Sequence, residues 1–271
     1  MKVCLSRIVS LVVALSAAPS FAIFQNGGFE SGNFNGWTTG FGQNNGLTGV
    51  QPFSSSSINL GSGGTFRGAV LSAGPDLVGA PITLPRAGAF TARVNNNATG
   101  GFANFISQAD AITAADRDTS DSKLHVRFSY AVVLENPGHT PSGQPFFFIR
   151  VRNVTKNTTL FEDFSFAGQT GTQFTNLGTT PYQYLNWKNA DVIVPDADLG
   201  DSIQVYLLAS DCEPTAHLGY AYLDGFGSAV VTPGPTAKAT AVVPTLGEWA
   251  LITLSALLAL SAGLVARRQR A

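Results

Sequence analysis

The clearest pattern in the chain is a period of two. Leu124, Val126, Phe128, Tyr130, Val132 and Leu134 alternate with His125, Arg127, Ser129, Ala131 and Val133. Side chains of a strand point to opposite faces in turn, so Leu124–Leu134 is predicted to be a strand with one face buried. Phe146–Arg152 repeats the pattern, with Phe147, Ile149 and Val151 on one side and Phe148, Arg150 and Arg152 on the other. Further on, Ile203, Val205 and Leu207 alternate with Gln204, Tyr206 and Leu208, and Gly219–Gly225 supplies a last short strand. Between the first two, Glu135–Pro145 carries Pro137, Gly138, Pro141 and Gly143 and reads as a long connecting loop. The one helical candidate, Ser107–Ala115, is too weakly patterned to carry an assignment. Many short strands joined by Gly, Asn and Pro turns predict an all-β domain, a sandwich or a barrel. No repeat of fixed period interrupts it.

The pattern changes at both ends. Lys2 and Arg7 precede an apolar run, Ile8–Ala18, and Pro19-Ser20-Phe21-Ala22 then offers small residues three and one before a cut. This three-part order predicts a secretory signal peptide, residues 1–22, removed after Ala22. At the other end Trp249–Ala266 is uncharged and ends on Arg267, Arg268 and Arg270. As a helix it would span about 27 Å, close to a hydrocarbon core of about 30 Å. Trp249 then sits at one interface, and the arginines hold the far end in the cytoplasm. Both ends therefore place the intervening domain, residues 23–231, outside the cytoplasm. Residues 232–242, with two prolines and no apolar period, form a spacer.

The tail carries a more specific signature. Val243, Pro244, Thr245 and Leu246 are followed by Glu248, Trp249, the apolar run and the arginines. This resembles the IPTL-CTERM sorting domain, a relative of the PEP-CTERM signals, with Val243 standing where the family has Ile. The resemblance covers residues 243–271. It implies transient anchoring in the inner membrane of a Gram-negative bacterium through a transmembrane helix, 249–266. It also implies processing by an exosortase-type protease near Pro244-Thr245, after signal peptidase has acted at the other end. The destination would be the cell envelope, the cell surface or the extracellular matrix.

Composition narrows the function. Charged residues make up 12% of the chain, about half the usual share, and aromatics 10%. A chain so poor in charge and rich in apolar rings has surface to bury and is not disordered. Five of the 16 basic residues lie at the extreme ends, so Ile23–Val242 holds 11 basic against 16 acidic residues, a net of −5. Nucleic acid needs a clustered basic face and is excluded as a partner. Cys4 falls in the leader, leaving Cys212 alone in the mature chain, so no internal disulfide is expected.

The start of the domain reads Asn26-Gly27-Gly28-Phe29-Glu30-Ser31-Gly32-Asn33-Phe34-Asn35-Gly36-Trp37. It resembles the opening of galactose-binding-like jelly-roll modules, and the fold it implies is a jelly-roll-like β-sandwich. In such modules the Phe and Trp enter the core and the Glu turns away to meet an acidic residue of the last strand across a calcium ion. Here those residues are Phe29, Trp37, Glu30 and Asp224, the last from Tyr220-Ala221-Tyr222-Leu223-Asp224-Gly225. The implied ion is structural, with backbone carbonyls completing its oxygen shell.

Other chemistry is thin. His139 and His217, with Asp211 or Cys212, have the donor types of a zinc site, but no two ligands are closely spaced, so loop histidines bonded to backbone are the expectation. Cys212 reads as a buried small apolar residue. Asp116, Asp118 and Asp121 read as a solvated turn, not a glycosidase pair. There is no nucleophile elbow, no His-Glu-x-x-His and no phosphate loop, and Gly61-Ser62-Gly63-Gly64 is a turn. The domain is therefore read as a binding module, not an enzyme. Tyr182, Tyr184 and Trp187 are the candidate platform for a glycan or another surface polymer, because ring faces stack on sugar C–H groups. The rival reading is a structural or adhesive surface protein that engages protein partners.

Overall fold

Alternating apolar positions in short strands can be buried only against a second layer, and the chain supplies that layer from its own strands. In the computed structural model the described residues are 24–47 and 57–231. The expected signal peptide, linker, sorting motif and transmembrane helix lie outside them. Among the described residues no helix is long and apolar enough to cross a membrane.

The strands are β1 (Thr38–Asn44), β2 (Ile58–Leu60), β3 (Ala69–Leu71), β4 (Thr91–Val94), β5 (Phe102–Ala111) and β6 (Leu124–Glu135), then β7 (Phe146–Asn153), β8 (Thr158–Phe166), β9 (Thr175–Asn176), β10 (Tyr182–Val194), β11 (Ser202–Ser210) and β12 (Gly219–Gly227). They form two six-stranded sheets, β2-β1-β5-β11-β7-β8 and β3-β4-β12-β6-β10-β9. Every described pairing is antiparallel. The all-β expectation holds. The weak helical candidate resolves into the end of β5 and a 3-10 turn over Ala114–Asp116.

The inner faces make one core. Leu124, Val126, Phe128, Tyr130, Val132 and Leu134 of β6 meet Phe147, Ile149 and Val151 of β7 and Ile203, Val205 and Leu207 of β11. At its centre Phe226 packs edge-on to Phe24 at 4.2 Å and to Trp37 at 5.9 Å, and stacks on Phe128 at 5.5 Å between ring centroids. Phe29 and Trp37 enter this core as expected, stacked at 5.0 Å. The entry depends on Gly27, whose backbone is so close to β12 that a Cβ would lie 1.8 Å from the Phe226 carbonyl oxygen.

One expectation about β6 needs correction. Both of its faces are buried. β6 is flanked by β12 and β10, so its outer face is available for covering, and two different structures cover it. Toward the Glu135 end, Ala131 and Val133 lie in a second apolar cluster with Ala80, Ile82 and Leu84 from the segment between β3 and β4. Toward the Leu124 end, Arg127 pairs with Asp118 at 2.6 Å and with Asp191 at 2.9 Å, and His125 lies 3.2 Å from Asp121. The aspartate turn is thus tied to the sheet. Asp116 departs from the solvated-turn expectation, being buried and accepting from the Thr113 N–H at 2.7 Å and hydroxyl at 2.8 Å, and Asp118 is half-buried against Arg127, whereas Thr119–Lys123, with Asp121, is the exposed turn expected.

Candidate functional site

β10 brings the three candidate aromatics together, and an irregularity in the strand is what does it. Tyr182 and Tyr184 lie opposite Glu135 and Val133 on the outer face of their sheet, while Leu185, opposite Val132, turns into the core. Simple alternation would send Trp187 inward beside Leu185. The register slips between Leu185 and Lys188, so one extra residue is accommodated and Trp187 emerges on the outer face. All three rings are half-buried and pack against the second apolar cluster.

Trp187 is fixed at both ends. Its Nε1–H donates to the Thr83 carbonyl at 2.7 Å, and its ring lies 6.2 Å from that of Tyr222. Thr83 belongs to the segment that covers the outer face, and that segment is pinned from beneath by Asp76. The buried Asp76 carboxyl accepts from the Val78 and Ala80 N–H groups, each at 3.0 Å, and from the Tyr220 and Tyr222 hydroxyls at 2.9 and 2.8 Å. Burial first, and then the Asp76 carboxyl, pushes both phenols well above the ordinary tyrosine range, so they remain hydrogen-bond donors. The result is a rigid stripe of partly exposed rings on a strand.

The other face of β10 opens onto a cleft that sequence reasoning did not find. It measures about 260 Å³ and lies between β8 and β10, with Phe147 and Phe174 on one side and Asp163, Gln169, Gln173 and Lys188 as its polar lining. Lys188 Nζ pairs with Asp163 at 2.9 Å, and the Tyr130 hydroxyl donates to the same carboxyl. Nothing in the chain pattern relates Asp163 to Lys188, because they meet only where the two sheets part.

Glu30 and Asp224, the expected calcium pair, converge on one stretch of backbone. Glu30 accepts from the Ala89 N–H at 3.0 Å and from the Phe90 N–H at 3.3 Å. Asp224 Oδ2 accepts from the Arg86 and Ala87 N–H groups at 2.9 and 3.1 Å. Between them Gly88 has a φ of +63°, and a Cβ there would meet Glu30 Oε1 at 2.2 Å. Asp224 Oδ1 is buried and has no hydrogen-bond partner among the described residues. Burial pushes the Asp224 carboxyl up to about 7, and the charge of Glu30 pushes in the same direction. An orphaned carboxyl oxygen beside a second carboxyl is an arrangement that a hard cation with oxygen preference would stabilise, so the residues fit calcium.

His139 lies in the β6–β7 loop, and Cys212 and His217 in the β11–β12 loop, and the fold brings all three side chains together. Asp211 does not join them. Its carboxyl accepts from Asn95 Nδ2 at 2.9 Å and from the Phe102 and Gly219 N–H groups at 3.1 and 3.2 Å.

The IPTL-CTERM motif matches residues 241–270. No curated protein matches the chain. Solved structures with a similar layout include a carbohydrate-binding module of the β-sandwich superfamily, at 12% identity and a TM-score of 0.32, the match covering 76% of this chain and 62% of that one. The chain thus spans less than two thirds of that relative. Another is the CBM27-1 module of Caldicellulosiruptor saccharolyticus in complex with mannohexaose, at 10% identity and a TM-score of 0.33, covering 69% and 87%. A third is the K1 cleaved adhesin domain of Lys-gingipain from Porphyromonas gingivalis, at 12% identity and a TM-score of 0.32, covering 69% and 95%. The described residues form an all-β sandwich, and the chain carries an IPTL-CTERM motif at residues 241–270.

Proposed function

We propose that this is an exported surface or matrix protein whose sandwich binds a glycan or related surface polymer along the Tyr182, Tyr184 and Trp187 stripe of β10. The observation that carries the reading is the half-exposed stripe itself. Three rings held on a strand, one of them locked through its indole N–H, present apolar faces at little entropic cost. A mildly acidic domain without a basic face suits a neutral polymer better than a polyanion. The sorting motif supports delivery to the envelope, with a signal peptide and an exosortase-type protease as the expected processing partners. Binding needs no catalytic group, and no enzymatic step is proposed.

A glycan array with the purified chain tests this. Polysaccharide binding is expected, and Trp187→Ala is expected to weaken it by about tenfold, roughly 1.4 kcal/mol, as for the loss of one stacked ring. Gln173→Ala in the cleft should leave it unchanged. Loss on Gln173→Ala with retention on Trp187→Ala would move the site to the cleft. Absence of binding to any glycan would favour the adhesive, protein-binding alternative.

The same reading includes a structural calcium ion held by Glu30 and Asp224, tying the start of the domain to its last strand. Its contribution would be charge neutralisation of two neighbouring carboxyls. At a calcium concentration about 100 times Kd, stabilisation is about 2.7 kcal/mol, or roughly 5–11 °C in Tm. A chelator is expected to remove it, and Asp224→Asn to abolish the response. A Tm indifferent to both calcium and chelator would eliminate the ion.

A further inference from the structure

We propose that His139, Cys212 and His217 form a binding site for a zinc-type transition-metal ion, distinct from the calcium pair and from the aromatic stripe. The donor atoms of the three side chains all lie within 4.8 Å of one another. His139 Nε2 is 3.2 Å from His217 Nδ1, and Cys212 Sγ is 3.4 Å from the same nitrogen. A tetrahedral zinc with bonds of about 2.0–2.1 Å to nitrogen and about 2.3 Å to sulfur sets its ligands about 3.3 Å apart for two nitrogens and about 3.6 Å for nitrogen and sulfur. The two close pairs already have these separations. The widest pair must close by roughly an ångström, and His139 follows Gly138, whose φ of +76° places a permissive residue beside it in the loop.

The surroundings of the sulfur suit a thiolate. Cys212 Sγ accepts from the Ala216 and His217 N–H groups, both at 3.3 Å. These donors come from the turn that also returns the His217 carbonyl to the Cys212 N–H at 3.0 Å, so the loop holds both ligands in one small ring. The turn keeps Thr215 at a φ of +77°, a left-handed conformation that a β-branched residue adopts only when its surroundings impose it. Two N–H donors favour the charged sulfur, while its burial opposes charge until a cation is present. On binding, the ion would displace the thiol proton to solvent, and both imidazoles would ligate in their neutral form.

The site also has an approach and room for a fourth ligand. His139 lines an open groove of about 430 Å³ with Thr140, Ser142, Glu213 and Pro214. Water or a groove side chain would complete the coordination. The Glu213 N–H donates to the Gly143 carbonyl at 3.2 Å, and the Leu47 N–H to the Ser142 carbonyl at 2.8 Å, so the groove joins three connections at one end of the sandwich. A metal here would staple the β6–β7 loop to the β11–β12 loop, a role that no disulfide can fill with Cys212 as the one cysteine outside the leader.

The test is metal titration of the full-length chain after removal of bound metals, with calcium kept in excess so that the carboxylate pair is not the variable. Cobalt(II) is the spectroscopic probe and zinc(II) the competitor. One equivalent of cobalt is expected to produce a thiolate-to-metal charge-transfer band in the near ultraviolet, and zinc to abolish it. Cys212→Ser should remove the band, and His139→Ala, a half-exposed loop position, should weaken zinc binding at least tenfold without loss of fold by circular dichroism. Absence of the charge-transfer band, or zinc affinity unchanged in His139→Ala, would overturn the site and leave the three side chains as a hydrogen-bonded chain. Neither result depends on whether the stripe on β10 binds a glycan.

Discussion

Phe226→Ala is expected to cost about 4 kcal/mol, the range for removing a buried phenylalanine, and to lower Tm by roughly 8–16 °C for a domain of this size. The expectation rests on position. The Phe226 ring is enclosed by Phe24, Trp37 and Phe128, which come from the start of the domain, the turn leading into β1, and β6. The site is itself locked, because the Trp37 indole N–H donates to the Asn26 carbonyl at 3.1 Å and the Phe226 N–H to the Gly27 carbonyl at 3.0 Å. A site bounded by hydrogen-bonded backbone collapses poorly, so the cavity persists and adds to the penalty. Leu60→Ala is the comparison. Leu60 is 59% exposed, and its truncation is expected to change stability by less than about 0.5 kcal/mol. Thermal or urea unfolding of the two variants measures the difference, and near-equal losses would refute this account of the core.

Asp76→Ala is expected to cost about 3–5 kcal/mol, because it strands four donors at once. The Val78 and Ala80 N–H groups and the Tyr220 and Tyr222 hydroxyls all lose their acceptor beneath the segment that covers the outer face. The change should be local before it is global. That segment carries Thr83, whose carbonyl holds the Trp187 indole, so Trp187 should become more exposed. The measurable results are a red shift in tryptophan emission, faster proteolysis between β3 and β4, and a lower Tm. Asp76→Asn retains an acceptor oxygen and should lose less than half as much. An Asp76→Ala protein within about 1 kcal/mol of wild type would show that the segment is held by its apolar contacts alone. The link to function is direct, since a loosened cover also loosens the platform proposed to bind glycan.

How far the sequence could be read differs from element to element. β6, β7 and β11 were legible because their inward face is apolar at every second residue while the positions between include polar ones, such as His125, Arg127, Arg150 and Gln204. β12 was only partly legible. Its residues are buried on both faces, and a strand that has no polar face has no alternation to read. β5 was obscured for another reason. Its inward set includes Ile106, but polar Asn104 and Gln108 share that face and Ser107 is buried on the other, all held by hydrogen bonds to other strands and loops, so the apolar period is broken. The cover over the Glu135 end of β6 could not be foreseen, because it comes from a segment some 50 residues earlier in the chain.

The candidate sites divide in the same way. Glu30 was paired with Asp224 in advance only through the resemblance of the opening motif and the last strand to galactose-binding-like modules. Tyr182 and Tyr184 could be placed on one face by parity, but Trp187 joins them only through the slip of register between Leu185 and Lys188, which depends on pairing with β6. His139 could not be paired with Cys212 and His217 at all.

By itself, then, the sequence determined the all-β class, the mildly acidic balance of residues 23–242, and the IPTL-CTERM signature at residues 241–270. These are properties of composition, of period two, and of contiguous motifs, and each is carried by neighbours along the chain. The tertiary structure decided which outer faces are covered, that Trp187 turns outward, that Asp163 and Lys188 line one cleft, and that an imidazole from one loop reaches a thiol and an imidazole of another. Those are contacts between residues far apart in sequence, and they exist only once two sheets have paired, registered and packed.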